Sequence, residues 1–139
     1  LTITKILHFF IGLIDRFYIE HYFRRLGLAG WFHVAPVEEF LPGQSRLVDV
    51  DNVMVAVFNL GGEFYAIEDV CTHDGSPMLG CGLDPAQLVD GEQIICPRHG
   101  ARFCIKTGEA LTPPAFEATH TFPVRVEEGM VQVTDDRWD

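Results

Sequence analysis

Cys71-Thr72-His73 and Cys96-Pro97-Arg98-His99 are the two stretches on which the reading of this chain turns. Each sets one thiol and one imidazole on a short turn, and residues 74–95 separate them. Tyr65-Ala66-Ile67 leads up to Cys71, and Ile94-Ile95 runs into Cys96. Asp74-Gly75 and Gly100 then mark turns, so each pair sits where a strand pattern ends. Two such loops side by side would cage one metal centre at a domain tip. Two thiolates and two imidazoles suit a closed zinc site, or a [2Fe–2S] cluster with one iron on cysteines and the other on histidines. The candidate ligands are therefore Cys71, His73, Cys96 and His99. Pro97 stiffens the second loop. The small residues Gly75, Ser76 and Gly100 are expected to let backbone N–H groups approach the centre and donate to sulfur.

Around these loops the pattern is β. Trp31-Phe32-His33-Val34 predicts a short strand, and Pro36–Phe40 a single helical turn closed by Pro42-Gly43. Arg46–Val50 and Val53–Phe58 are β-branched runs. Gly61-Gly62 predicts a hairpin into Glu63–Ile67. Glu92–Ile95 and Arg102–Ile105 flank the second Cys-His turn. Thr121–Val126 and Met130–Val133 predict a closing hairpin over Glu127-Glu128-Gly129. Many short strands at regular spacing imply an all-β antiparallel sandwich or small barrel. Within the segment Leu79–Asp90, Asp84-Pro85-Ala86-Gln87-Leu88 reads as a helical turn with Asp84 as cap.

Residues 1–28 differ in character. Ile3, Ile6, Leu7, Phe10, Leu13, Ile14 and Phe17 recur at helical spacing, with further aromatics widening the apolar surface. The division expected is an N-terminal helical extension over 1–28 and a β domain over 30–139. The uncharged run Ile6–Ile14 is far short of the roughly 20 residues of a membrane-spanning helix, so no span is expected. Charges and aromatics follow that run where a signal peptide would carry small residues. Such a helix packs on its own domain, mediates oligomerisation, docks on a partner, or lies in a membrane interface.

The 139 residues fit one domain with a modest core. Asp and Glu number 20 against 10 Lys and Arg. Residues 1–30 are net +2, leaving the remainder net −12 of a total of −10. That balance disfavours nucleic acid, whose binding rests on Lys and Arg at phosphates, and suits steered docking with a basic protein partner. Cys81 and Cys104 are expected to stay unpaired in a reducing, cytoplasmic compartment. His8, His21, His33 and His120 are expected to be structural or surface residues.

Taken with their flanks, the two loops resemble the Rieske iron–sulfur family. The matching stretches are Cys71-Thr72-His73-Asp74-Gly75-Ser76-Pro77-Met78, Cys96-Pro97-Arg98-His99-Gly100-Ala101-Arg102-Phe103, and Thr107-Gly108-Glu109-Ala110. The similarity spans about residues 30–134 and is greatest to soluble Rieske-type ferredoxins. It implies a Rieske-type antiparallel β-sandwich with the cluster loops at one tip. It also implies one [2Fe–2S] cluster per chain, with Cys71 and Cys96 on the buried iron and His73 and His99 on the exposed one. Thr112-Pro113-Pro114-Ala115 matches the proline-bearing loop that covers the cluster.

Departures from the broader family narrow the reading. Respiratory and photosynthetic members carry an extra, disulfide-forming Cys in each loop, where this chain has Ser76 and Arg98. Their sulfide-bonding hydroxyl is replaced by Ala101 and its Tyr partner by Phe103. Fewer hydrogen bonds to sulfur imply a potential near the low end of the Rieske range, about −150 mV. Arg98 and Ala101 also depart from the oxygenase catalytic subunit, which needs a further mononuclear-iron domain.

The resemblance therefore implies a one-electron carrier and not an enzyme by itself. It would be the ferredoxin component that passes electrons from a reductase to an oxygenase, commonly an aromatic-ring dioxygenase. The alternatives are a small subunit of a larger, nitrite-reductase-like complex and a redox-responsive interaction module. Arg98, Arg102 and Asp74 are expected on or near the docking rim.

Overall fold

A computed structural model describes residues 30–137. The helix expected over 1–28 lies outside the described residues. In chain order the strands are β1 (Phe32–Pro36), β2 (Ser45–Val50), β3 (Val53–Leu60), β4 (Glu63–Glu68), β5 (Val89–Asp90), β6 (Gln93–Ile95), β7 (Arg102–Cys104), β8 (Thr121–Phe122), β9 (Val124–Glu127) and β10 (Met130–Val133). They form three antiparallel sheets, ordered β1-β10-β9, β2-β3-β4-β8 and β5-β6-β7. The fold is thus all-β, as the sequence implied. Among the described residues, no helix is long and apolar enough to cross a membrane.

The β3 strand is the common wall. Val55, Ala56, Val57 and Phe58 are all fully buried, so both of its faces are covered. An unbroken β-branched and aromatic run is what such a strand requires, because alternate side chains enter opposite cores. Val55 and Val57 join Phe40, Ala66, Phe122 and Val131 on the side of the β1-β10-β9 sheet. Ala56 and Phe58 join Ile67, Met78, Ile94 and Phe103 on the side of β5-β6-β7, and Cys71 and Cys96 belong to this second core. Asn59 is the polar residue buried in β3. Its amide nitrogen donates to the Phe40 carbonyl at 2.8 Å, and its oxygen accepts from Gly62 N–H at 2.8 Å.

The turns follow from local chemistry. Gly61 and Gly62 both have positive φ, 64° and 99°, matching the predicted hairpin between β3 and β4. Asp51 and Asn52 adopt the same left-handed region between β2 and β3, supported by an Asn52 N–H to Asp49 Oδ1 bond of 2.8 Å. A 3-10 turn occupies Val37–Glu39. A short helix, α1 (Pro85–Leu88), starts at Asp84, whose side chain accepts from Ala86 N–H.

One expected element divides. The run Thr121–Val126 reads as a single strand, but β8 pairs with β4 in one sheet while β9 pairs with β10 in another. Pro123 stands at the switch. Lacking an N–H, it cannot continue a ladder, and the chain crosses between layers there.

Gly108 holds the loop after β7 against the approach to β8. Its N–H donates to the Cys104 carbonyl at 2.7 Å, and its carbonyl accepts from Thr119 N–H at 2.8 Å. Its φ is +76°, and a Cβ there would overlap the Thr119 carbonyl oxygen. Gly108→Ala is therefore expected to lower stability by about 2 kcal/mol or more, combining the left-handed penalty with the clash. Urea denaturation measures this, and an unchanged midpoint would contradict the packing described.

Candidate metal centre

Two strand ends deliver the site. The end of β4 leads through Asp69 and Val70 to Cys71, and β6 leads directly into Cys96. Each loop then closes with the same pair of backbone bonds. Cys71 N–H donates to the Ser76 carbonyl at 2.8 Å, and Gly75 N–H returns to the Cys71 carbonyl at 2.7 Å. Cys96 N–H donates to the Ala101 carbonyl at 2.8 Å, and Gly100 N–H returns to the Cys96 carbonyl at 2.9 Å. Gly75 and Gly100 have φ of 78° and 77°, a region glycine enters at little cost. The loops are equivalent in frame although the histidine comes second after Cys71 and third after Cys96.

The loop N–H groups divide by role. The N–H groups of Gly75 and Gly100 are used inside their own turns, and Ser76 N–H donates to Asp74 Oδ1 at 3.0 Å. Near the buried thiols, the backbone N–H groups of Arg98 and His99 favour the Cys96 thiolate. Burial pushes the Cys96 thiol above its ordinary pKa; these two N–H groups oppose the rise and the neighbouring Cys71 thiol adds to it.

The four sequence candidates come together, sorted by depth. Cys71 and Cys96 are each 1% exposed and pack in the same core. His73 and His99 are exposed, with ring centroids 5.1 Å apart and planes at 86°. The imidazoles fall in one compact ligand group with Asp74, all three donor atoms within 4.8 Å, and neither thiol belongs to that group. A single tetrahedral zinc would draw all four donors to within about 3.3–3.8 Å of one another. A buried sulfur pair beneath an exposed nitrogen pair instead suits two metal positions, one of each kind. The donor set thus fits a [2Fe–2S] group better than zinc.

The loops are tied to each other and to a third segment. Arg98 Nη1 donates to Ser76 Oγ at 3.3 Å, and its Nε lies 3.8 Å from Asp74 Oδ2. Hydrogen bonds from the Ser76 hydroxyl and N–H hold the Asp74 carboxyl below the usual carboxylate range. Thr72 Oγ1 donates to the Glu117 carbonyl at 2.6 Å, bringing the segment after Pro113-Pro114 against the first loop. Ala115 of that segment is 3% exposed and packs in the core that holds both thiols. The segment that follows the two prolines thus packs against the first loop.

Arg102 does not reach the tip. Its guanidinium binds Asp90 Oδ2 at 3.1 Å and Gln93 Oε1 at 3.2 Å across the third sheet. Cys81 and Cys104 are both free and half-buried. His120 stacks edge-on against Phe122 at 4.7 Å and contributes nothing to the tip. Sequence reading missed Asp69, a buried carboxylate two residues before Cys71, because an isolated Asp carries no pattern.

Residues 30–123 match the profile of the Rieske [2Fe-2S] domain family. The 3-phenylpropionate/cinnamic acid dioxygenase ferredoxin subunit of Shigella flexneri serotype 5b is 41% identical over 97 residues, covering 70% of this chain and 86% of that protein. Among solved structures, the complex of reduced oxygenase and oxidized ferredoxin in carbazole 1,9a-dioxygenase contains a chain 36% identical. Its TM-score is 0.65, with 75% of this chain and 92% of that one covered. The ferredoxin of carbazole 1,9a-dioxygenase from Nocardioides aromaticivorans IC177 is 27% identical with a TM-score of 0.66, covering 78% of this chain and all of that one. Paired loops of matching frame, thiols below and imidazoles above, stand in a chain whose greater part matches one family, and this chain belongs to the Rieske [2Fe-2S] domain family.

Proposed function

We propose that this chain is the ferredoxin component of a multicomponent oxygenase, taking electrons from a reductase and delivering them to the oxygenase. The observation that carries the reading is the division of the donor set by depth. Cys71 and Cys96 are shut away from solvent, while His73 and His99 stand exposed at the tip. In this reading Cys71 and Cys96 hold one iron, and His73 and His99 the other. When bound, the cluster supplies a one-electron couple.

The residues around it do the rest. Ala115 and the proline-bearing segment keep water from the thiols. The imidazole edges are the part of the site a partner can approach. Arg98, with 67% of its side chain exposed, stands beside that approach, and Phe116, 82% exposed, lies on the segment fastened to the first loop. Glu117, next to Phe116, is fastened to the first loop by Thr72, so the ring is presented from an anchored backbone. A large exposed aromatic on a fixed loop is the kind of residue that anchors a protein interface. The reading also agrees with the relatives, whose names describe dioxygenase ferredoxin subunits. Residues 1–28 would serve as an oligomerisation or docking element.

Purified protein is expected to carry iron and sulfide and to show a visible iron–sulfur chromophore. Cys71→Ser, Cys96→Ser, His73→Ala and His99→Ala should each lose the intact cluster. A colourless, zinc-loaded wild type would end the reading, and a variant with an unchanged cluster spectrum would remove that residue from the ligand set. Ala101 and Phe103 are fully buried and carry no hydroxyl. The midpoint potential is accordingly expected near the low end of the Rieske range, about −150 mV, and a value above zero would refute the assignment to the ferredoxin branch. Phe116→Ala should weaken docking on the oxygenase by about tenfold, read as a raised KM for the ferredoxin with its potential unchanged.

A further inference from the structure

Asp69 is 3% exposed, yet its carboxylate meets three donors. Oδ1 accepts from Met78 N–H at 3.2 Å and Leu79 N–H at 2.6 Å, and Oδ2 accepts from Gly80 N–H at 2.8 Å. Its own N–H donates to the Met54 carbonyl of β3 at 2.9 Å. Asp69 thus stands where the chain leaves the central sheet, two residues before Cys71. Its three partners begin two residues beyond Ser76, where the first loop closes. One side chain joins the two ends of the segment that carries Cys71 and His73. Gly80 makes room for it, since a Cβ there would lie 3.0 Å from Asp69 Oδ2.

Converging N–H donors use the group as an acceptor at both oxygens, and bonds to an anionic acceptor are the strong ones. Met78 and Leu79, whose N–H groups it holds, pack in the same core as Cys71 and Cys96. A negative charge fixed there opposes the addition of an electron nearby, and net charge around an iron–sulfur site is one of the terms that set its potential. We propose that Asp69 is a positioning residue for Cys71 and His73: it clasps the first loop shut and, by its buried charge, holds the potential down. The inference rests on the reading that this loop binds a [2Fe–2S] cluster.

Two substitutions separate clasp from charge. Asp69→Asn keeps the shape but replaces one acceptor oxygen by a donor, leaving at least one N–H unpaired, and removes the charge. Gly80→Ala keeps the charge but crowds Oδ2 off its partner. Iron and sulfide content, the half-life of the visible chromophore under chelator, and the midpoint potential are measured on the full chain. Wild type comes first, and an absent chromophore there fails the cluster reading and not the clasp. Asp69→Asn is expected to lose the chromophore on the order of tenfold faster and to shift the potential upward. Gly80→Ala is expected to lose it faster with a smaller change in potential. Glu128→Gln, on the distant β9-β10 turn, should change neither. A wild-type half-life in Asp69→Asn, or in Gly80→Ala if the first variant does not fold, overturns the clasp. A wild-type potential in Asp69→Asn overturns the role of the charge.

Discussion

Burial of β3 on both faces is the constraint from which the rest of the molecule follows. Its side chains alternate between two cores, so its register is fixed from two directions at once. A slip of one residue would send Val55 and Val57 towards the metal loops and Ala56 and Phe58 towards the outer sheet. The fixed register is passed to the site through main-chain bonds. Six successive residue pairs, from Val55↔Glu68 to Leu60↔Glu63, hold β4 to β3. The Met54 carbonyl then holds Asp69 as the chain departs. The position of Cys71 is therefore decided by a hydrophobic core, well before any metal chemistry enters.

The two loops solve one problem twice. Each must sink a sulfur and lift an imidazole within a few residues, and each does so with the same bonds between Cys i, Gly i+4 and residue i+5. A left-handed glycine reverses the chain where a side chain at that φ would be strained. Equal frames with the histidine displaced by one position present two rings of different orientation, which meet edge to face. The sorting by depth is thus a property of the backbone. The histidines touch each other and, through His99, Asp74 of the first loop, while their outer edges stay open to a partner.

Much of this was legible in the sequence, for reasons that can be named. The Cys-His stretches, the β-branched runs and the Gly61-Gly62 turn are local patterns with local causes, and the strands and loops stand where those patterns put them. What was not legible depends on closure in three dimensions. The division of Thr121–Val126 reflects which sheet lies on either side of Pro123, and nothing in the run itself says so. The use of the loop glycines' own N–H groups for turn closure, leaving those of Arg98 and His99 nearer Cys96, depends on how each loop closes and has no signal in composition. Arg102 was expected on or near the docking rim, but its bonds to Asp90 and Gln93 hold it across the third sheet.

The link between the loops shows how a weak interaction can be the useful one. Ser76 and Arg98 occupy the positions where disulfide-bearing relatives place their loop cysteines, and here the two side chains touch at 3.3 Å. Such a contact, with Arg98 two-thirds exposed and its ion pair to Asp74 at 3.8 Å, adds little to stability. Closure of the first loop must then come from elsewhere. The Cys71–Ser76 and Gly75–Cys71 backbone bonds and the buried Asp69 carboxylate provide it. Because the fold does not lean on Arg98, a docking partner can take up its guanidinium at small cost. A covalent bridge at the same place would bind the loops more firmly but would remove a cation that stands beside the imidazole edges in a domain otherwise rich in acidic residues.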